Sequence, residues 1–412
     1  MPRVNHNILV WARETAGFTP EQAVKKLEIK DARGVAALER LTALEKGQEE
    51  PGRPLLTKMA KQYRRPLVTF YMSMPPKRGD RGQDFRTLPA DHSRAADALL
   101  DALLRDIRAR QNLVRAALED EEDNAPHRFI NSAKMADGAT VVLDSIRRTI
   151  GVDLLDFRKQ GSSEEAFALL RNRVEAVGIF VLLIGNLGSH HTAIDVETFR
   201  GFALADPIAP FIVINDQDAK SAWSFTLVHE LAHLWLGASG VSGASAEMAI
   251  EQFCNDIAGE FLLPAHELVG LDIDDDTDLD TAILEITDFA NARLISRSMV
   301  AYKLHRTKRI SRDTWQRLST SFRDQWLHDR AARRERDKQE EGGPNYYVVR
   351  RHRLGTALLD VVRRAMSDGI LTPSKAGKIL GVKPRNVAPL LHAGGPFGPA
   401  DGAPPVPPAP AG

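Results

Sequence analysis

The chain has 412 residues, too many for one ordinary domain, so we expect two or three domains. Lys and Arg together number 55, as do Asp and Glu, and this balance excludes a molecule that binds polyanions over its whole surface. The single cysteine excludes a framework of internal disulfides and is typical of a protein in a reducing compartment.

Residues 1–76 are predicted to form an all-α domain of short helices. Thr19, Pro20 and Gln22 supply an N-cap, a first-turn proline and a capping box, which together mark the start of one helix. Short helices at this spacing are typical of a helix-turn-helix domain of the Xre/Cro repressor kind. The helices are predicted within Asn7–Ala16, Ala23–Leu27, Val35–Glu45 and Leu55–Tyr63.

The charge of residues 1–76 allows two hypotheses. Thirteen Lys and Arg stand against eight Asp and Glu, and this net charge of +5 would favour contact with DNA phosphates. The alternative is a solvated basic face on a domain that binds protein. The stretch Asp31–Gly34 makes the connection between the helices predicted at Ala23–Leu27 and Val35–Glu45 longer than a usual helix-turn-helix turn, so no residue is assigned to base recognition.

A larger domain is predicted at 96–341, after a linker of Pro, Gly and Arg at 77–95. Its first part should be helical, within Ala95–Ala117 and Ala133–Ile150, with an acidic run between them at Glu119–Asp123. Three apolar segments then predict a small sheet: Gly178–Ile184, Thr198–Ala205 and Phe211–Asn215.

The segment His229-Glu230-Leu231-Ala232-His233 follows that sheet on a predicted helix. Residues four apart lie on one helix face, so His229 and His233 could bind one metal ion. Glu230 would lie beside the site, where a carboxylate can take a proton from water. The alternative is an amphipathic helix whose histidines are ordinary core or surface residues.

A hydrolytic zinc site needs a third protein ligand. Leu236 and Ser239 occupy the positions where a metzincin has Gly and His, so that class is excluded. A second helix is predicted at Ala246–Leu263, and its acidic candidates are Glu251 and Glu260. Cys254 lies among the apolar positions of this helix and is interpreted as a core residue.

Together these segments resemble the ImmA/IrrE family of metallopeptidases. The similarity rests on His229–His233, on Glu251-Gln252-Phe253-Cys254-Asn255, and on Ala258-Gly259-Glu260-Phe261-Leu262-Leu263-Pro264. It implies Zn²⁺ held by His229, His233 and Glu251, with Glu260 as the reserve ligand. Asn255, one helical turn after Glu251, is the candidate for orienting a ligand.

The resemblance extends along residues 4 to about 390. Asp84–Pro89 (DFRTLP) and Met59–Leu67 resemble the region that joins a helix-turn-helix to the peptidase in one branch of the family, and Ile295–Leu304 resembles a later family helix. The implied fold is α+β and mostly helical, with a zincin-like core and a small sheet. The implied substrate is a helix-turn-helix repressor whose cleavage derepresses stress or mobile-element genes.

Two points about function stay open. Tyr302, His266 and His305 are candidates for stabilising a transition-state oxyanion, and each is also explained by a structural role. The alternative function is a DNA-binding regulator that uses the peptidase fold as a sensor or partner-binding domain.

The C-terminal part begins with the charged stretch Lys308–Glu341, predicted as an exposed helix or linker. A small helical module is expected at 342–392 and a disordered Pro/Ala/Gly tail at 393–412. Phe18–Lys30 and Leu371–Lys383 share Thr, Pro, Ala, Lys, Leu and Lys in register. This repeat is either similar capping chemistry on two unrelated helices or a second helix-turn-helix-like unit suited to protein or DNA.

The hydropathy of the sequence predicts where in the cell the protein is located. The N-terminus has no signal-peptide core, and the longest apolar run, Ala176–Gly185, is about half the length of a membrane helix. We therefore expect a cytoplasmic protein without membrane contact.

Overall fold

The computed structural model describes residues 3–32, 34–76, 94–121, 125–237, 244–339 and 345–392. Internal contacts divide the chain into two compact units. The first comprises Met1–Arg108, Gly185–Arg200 and Gly240–Met248; the second comprises Ala109–Ile184, Gly201–Ser239 and Ala249–Gly412. Most of the predicted linker, the DFRTLP stretch and the predicted tail lie outside the described residues.

The N-terminal helices follow the predicted pattern. Thr19 and Gln22 form the expected capping box at the start of the second helix, which Pro20 begins. The helices are α1 (His6–Thr15), α2 (Pro20–Leu27), α3 (Ala37–Glu45) and α4 (Arg53–Gln62), followed by a 3-10 turn at Leu67–Tyr71. Their apolar faces form one core, with Ile8, Leu9, Leu41, Met59, Tyr63 and Phe70 among its buried members.

Four further α-helices are described between α4 and the sheet: α5 (Arg94–Glu119), α6 (Ala139–Ile150), α7 (Leu154–Arg158) and α8 (Ser163–Ala176). The long helix predicted at Ala95–Ala117 is confirmed by α5. The prediction that the next helix begins at Ala133 is wrong, because α6 begins six residues later, at Ala139. Gly138, at φ 83°, is in a conformation that favours glycine and separates α6 from a 3-10 turn at Met135–Asp137.

The sheet has three short strands, as predicted: β1 (Phe180–Leu183), β2 (Gly201–Leu204) and β3 (Phe211–Ile214). Their order is β1-β3-β2, so β3 is central. β1 pairs with β3 in parallel, with Phe180 opposite Phe211, and β2 pairs with β3 antiparallel, with Gly201 opposite Ile214. All residues of β1 and β3 are buried, as expected for strands covered on both faces.

The next five described helices after the sheet are α9 (Lys220–Leu236), α10 (Ala244–Leu262), α11 (Leu279–Ala292), α12 (Arg297–Arg306) and α13 (Arg312–Gln339). The charged stretch after residue 308 is thus a long helix. A single core joins α6, α8, β1, β3, α9, α10, α11 and α12, and Cys254 is fully buried in it. Among the described residues, no helix is both long and apolar enough to cross a membrane.

The C-terminal helices are α14 (Tyr346–Leu354), α15 (Thr356–Ser367), α16 (Pro373–Leu380) and α17 (Val387–His392), with a 3-10 turn at Pro384–Asn386. They belong to the second unit, where α14 packs against β1 and α15 against α8. The helices expected as a separate module are therefore part of the same packed unit as the sheet.

A buried ion pair fastens these helices. Arg171 and Glu175 of α8 are 3.0 Å apart, and their side chains are only 6% and 4% exposed. Arg171 donates to the carbonyls of Val181 and His352. Glu175 Oε2 accepts from the backbone N–H and hydroxyl of Thr356, at 2.8 and 2.6 Å, so it caps the N-terminus of α15.

Candidate metal centre

The two histidines predicted as metal ligands lie together on α9. His229 and His233 have ring centroids 4.8 Å apart, and their Nε2 atoms are separated by 3.1 Å. Their side chains are only 13% and 8% exposed. The four-residue spacing therefore places both imidazoles at one point on the helix surface.

Packing and hydrogen bonds hold α9 in place. Its residues from Thr226 to Trp235 are buried except His229, which is half-buried, as expected for a helix enclosed by a core. Trp235 Nε1 donates to Ser145 Oγ at 3.0 Å. Backbone N–H groups of Asn131 and Ala133 bind the last carbonyls of the helix, each at 3.0 Å. The imidazoles are thus fixed by a rigid support.

The third group is Glu251, on α10. Its Oε2 lies 3.3 Å from His229 Nε2, and its Oε1 lies 3.4 Å from His233 Nε2. Burial by itself would raise the pKa of this carboxyl, but hydrogen bonds from His229 and His233 and their charge hold that pKa well below its usual range. Glu251 is therefore a carboxylate aimed at both rings.

These three side chains fit a single metal ion. Their ligand atoms all lie within 4.8 Å of one another, the only such group of three or more His, Cys, Asp or Glu found among the described residues. Four-coordinate zinc has bonds of about 2.0–2.1 Å, and tetrahedral angles then place neighbouring ligand atoms about 3.3 Å apart. The separations of 3.1, 3.3 and 3.4 Å match that spacing.

Glu230 lies next to His229 in sequence and is 3% exposed. Gly201 of β2 approaches it closely: a Cβ at this position would lie 2.8 Å from Glu230 Oε1 and 2.5 Å from Thr226 Cγ2. Glycine is thus required where the strand passes the carboxylate. The sequence signal was a glycine inside a predicted strand, which often marks a close backbone approach, but Gly201 was not predicted as part of the site.

The other candidates on α10 are placed differently. Glu260 forms an ion pair with Lys303 of α12 and accepts a hydrogen bond from Ala265 N–H at 3.4 Å. The structure therefore brings Glu251, and not Glu260, to the histidines. Asn255 is half-buried one turn after Glu251, and its side chain forms no hydrogen bond with the three clustered groups in the described structure.

None of the three oxyanion candidates belongs to the cluster. Tyr302 donates to Asp256 Oδ1 at 3.3 Å, and burial followed by the charge of Asp256 raises its pKa to about 12. His305 stacks on Trp315 with ring centroids 5.2 Å apart. His266 is exposed. The contacts of Tyr302 and His305 are explained by packing, and His266 lies in solvent, so the structure gives none of the three a contact with the clustered ligands.

Residues 186–305 match the peptidase M78 family, described as the IrrE N-terminal-like domain. The matched region contains His229, Glu230, His233 and Glu251, and the match supports the ImmA/IrrE family and a metallopeptidase function for this region. No curated protein and no solved structure matches the chain.

Proposed function

We propose that the chain is a zinc-dependent endopeptidase that cleaves a protein substrate. The observation that carries the proposal is the convergence of His229, His233 and Glu251 within 4.8 Å. Two imidazoles and one carboxylate are a ligand set of hydrolytic zinc enzymes, in which a fourth position stays open. The family match of residues 186–305 supports the same conclusion.

The chain's own groups suit peptide hydrolysis. When bound, the zinc ion would polarise the scissile carbonyl and lower the pKa of a water molecule. The Glu230 carboxylate would accept the proton of the attacking water and pass it to the leaving amine nitrogen. As whole residues, Glu230 and His233 are only 3% and 7% exposed to solvent. This burial limits the competition of bulk water with the interactions in the site.

Substrate binding is proposed along β2. This strand is at one edge of the sheet, and its Gly201 passes directly beside Glu230. An extended peptide that adds to an edge strand is held by main-chain hydrogen bonds. By resemblance, the substrate would be a helix-turn-helix repressor, cleaved to derepress stress or mobile-element genes.

Metal content tests the ligand assignment. Purified full-length protein is expected to hold about one zinc ion per chain, because three protein ligands are present. His233→Ala and Glu251→Gln should lose most of it in elemental analysis after dialysis. Glu260→Gln, a carboxylate-to-amide change on the same helix, should keep it. Retention by Glu251→Gln with loss in Glu260→Gln would move the third ligand to Glu260.

Proteolysis tests the function itself. Full-length protein incubated with helix-turn-helix repressors should cleave one of them at a defined bond, identified by mass spectrometry. A chelator should stop cleavage and added Zn²⁺ should restore it, because the reaction needs the ion. Cleavage that persists after complete removal of metal would contradict the proposal.

A further inference from the structure

The sequence repeat is also a structural repeat. α2 and α16 are eight residues each, and each is preceded by an N-cap Thr whose hydroxyl accepts a hydrogen bond from the backbone N–H three residues later, at 3.3 Å in both. Each helix is followed by a C-cap residue in the left-handed conformation, Glu28 at φ 51° and Gly381 at φ 62°. The two copies therefore share their cap, their length and their exit from the helix.

After that exit the copies differ. Nine residues, 28–36, separate α2 from α3, whereas three residues, 381–383, separate α16 from the 3-10 turn that leads into α17. A turn of three or four residues that contains glycine is typical of a helix-turn-helix. The short turn therefore occurs in the C-terminal copy, for which the sequence repeat had left a second helix-turn-helix-like unit as one of two interpretations.

Two glycines make the short turn possible. Gly381 adopts the left-handed conformation. A Cβ on Gly377 would lie 2.8 Å from the Val382 carbonyl oxygen, so the turn can fold back on the helix only at a glycine. The N-terminal copy has Val24 and Glu28 at these two positions.

Two arginines of α14 fix the orientation of the unit. Arg350 donates to the carbonyls of Leu380 and Gly381, at 2.6 and 3.1 Å, at the end of α16. Arg351 donates to the Leu390 carbonyl at 2.9 Å, at the end of α17. Both helices are thus held on the same support, as a recognition unit requires.

The exposed surface of this unit is basic. Residues 371–392 contain four Lys and Arg and no Asp or Glu, a net charge of +4. Lys375, Lys378, Lys383 and Arg385 are exposed, and none of them forms an ion pair with a described residue. Such side chains remain available to phosphates, which duplex DNA presents at one negative charge per about 1.7 Å.

The 3-10 turn at Pro384–Asn386 and α17 together present small and basic groups. Val387, Leu390 and Leu391 face the core, while Arg385, Ala388, Pro389 and His392 are exposed. Within residues 371–392, no large apolar side chain is exposed. A helix without bulky apolar side chains can approach base edges in a groove, whereas it offers little apolar area to a protein partner.

The corresponding N-terminal surface has another character. Leu38 and Val35 are each 40% exposed, and Glu39 beside them is exposed and acidic. Arg40 donates to the Lys30 carbonyl, so its guanidinium is held back against its own domain. These features fit contact with a protein better than contact with phosphate.

We infer that residues 371–392 form a helix-turn-helix unit that binds duplex DNA, with Lys375, Lys378 and Arg385 contacting phosphates. This inference concerns a surface other than the metal centre, so it holds or fails independently of peptidase activity. Binding places the peptidase unit on DNA, where a DNA-bound protein substrate would be found.

The test uses full-length protein and a fluorescent 30-base-pair duplex of random sequence, titrated at several salt concentrations. Each phosphate contact contributes about 0.9 to the slope of log affinity against log salt. The triple variant Lys375→Gln, Lys378→Gln, Arg385→Gln should therefore lose about two to three units of slope. The variant Lys375→Arg, Lys378→Arg, Arg385→Lys, which retains the charge, should keep the slope.

The matched control lies in the other copy of the repeat. Lys25→Gln, Lys26→Gln, Lys30→Gln also removes three exposed charges and should leave the slope unchanged. Circular dichroism should show the same helix content in all variants, because only exposed side chains are changed. The inference fails if wild-type protein shows no salt-dependent binding, if the control loses as much slope as the test variant, or if RNA or a protein is bound in preference to duplex DNA.

Discussion

Glu230→Gln protein is expected to keep its zinc and its fold but to cleave substrate about 10²–10⁴-fold more slowly, the usual contribution of a positioned general base. The amide has nearly the same shape as the carboxylate, so it fits beside Gly201, but it cannot accept a proton from water. Rates of repressor cleavage, measured under saturating substrate, give the comparison.

Glu260→Gln is the matched control for this prediction. It makes the same chemical change on a carboxylate that pairs with Lys303, away from the histidines, and should retain activity. Undiminished cleavage by Glu230→Gln would mean that another base takes the proton. Gene regulation that stays intact in Glu230→Gln cells, together with DNA binding, would instead favour the regulator hypothesis.

Glu175→Ala should destabilise the second unit by about 3–5 kcal/mol, the range found when one partner of a buried ion pair is removed. The change leaves Arg171 buried, where burial lowers the pKa of its guanidinium and Glu175 opposes that effect. It also removes the acceptor for the first N–H groups of α15.

Chemical denaturation of the full chain measures this effect. Four of the five tryptophans, Trp223, Trp235, Trp315 and Trp326, lie in the second unit, so intrinsic fluorescence reports mainly on it. Glu164→Ala is the control on the same helix. This change breaks the ion pair between Glu164 and Lys220, in which both side chains are about half exposed. It should lower the free energy of unfolding by less than about 1 kcal/mol. Equal losses of unfolding free energy in the two variants would contradict the prediction that the buried ion pair stabilises the unit more than the exposed one does.

Much of the candidate site followed from local patterns. The four-residue spacing of His229 and His233 fixes their common helix face, and Gly237 marks the end of that helix, where its φ is 67°. Spacing alone could not decide whether Glu251 or Glu260 is the third metal ligand, because both are on the next helix. The structure separates them through Lys303, which pairs with Glu260 from another helix and has no local sequence signal.

Tertiary contacts account for the features that were missed. Gly201 is needed only because β2 passes Glu230, a contact between residues 29 positions apart. The buried ion pair of Arg171 and Glu175 joins α8 to residues about 180 positions later. No local sequence pattern could predict a contact over that distance. Gly138 was visible in the sequence, but a helix-like apolar pattern on both sides concealed the break there.

The position of Arg171 also bears on self-association. β1 is an edge strand, and exposed main-chain groups on such a strand are a template for pairing with another chain. Arg171 binds the Val181 carbonyl and α14 packs against this strand, so two copies cannot readily join there sheet to sheet. Proteolytic loss of residues 345–392 would remove the α14 cover from this buried apolar strand. The product would tend to aggregate rather than persist as a minimal peptidase.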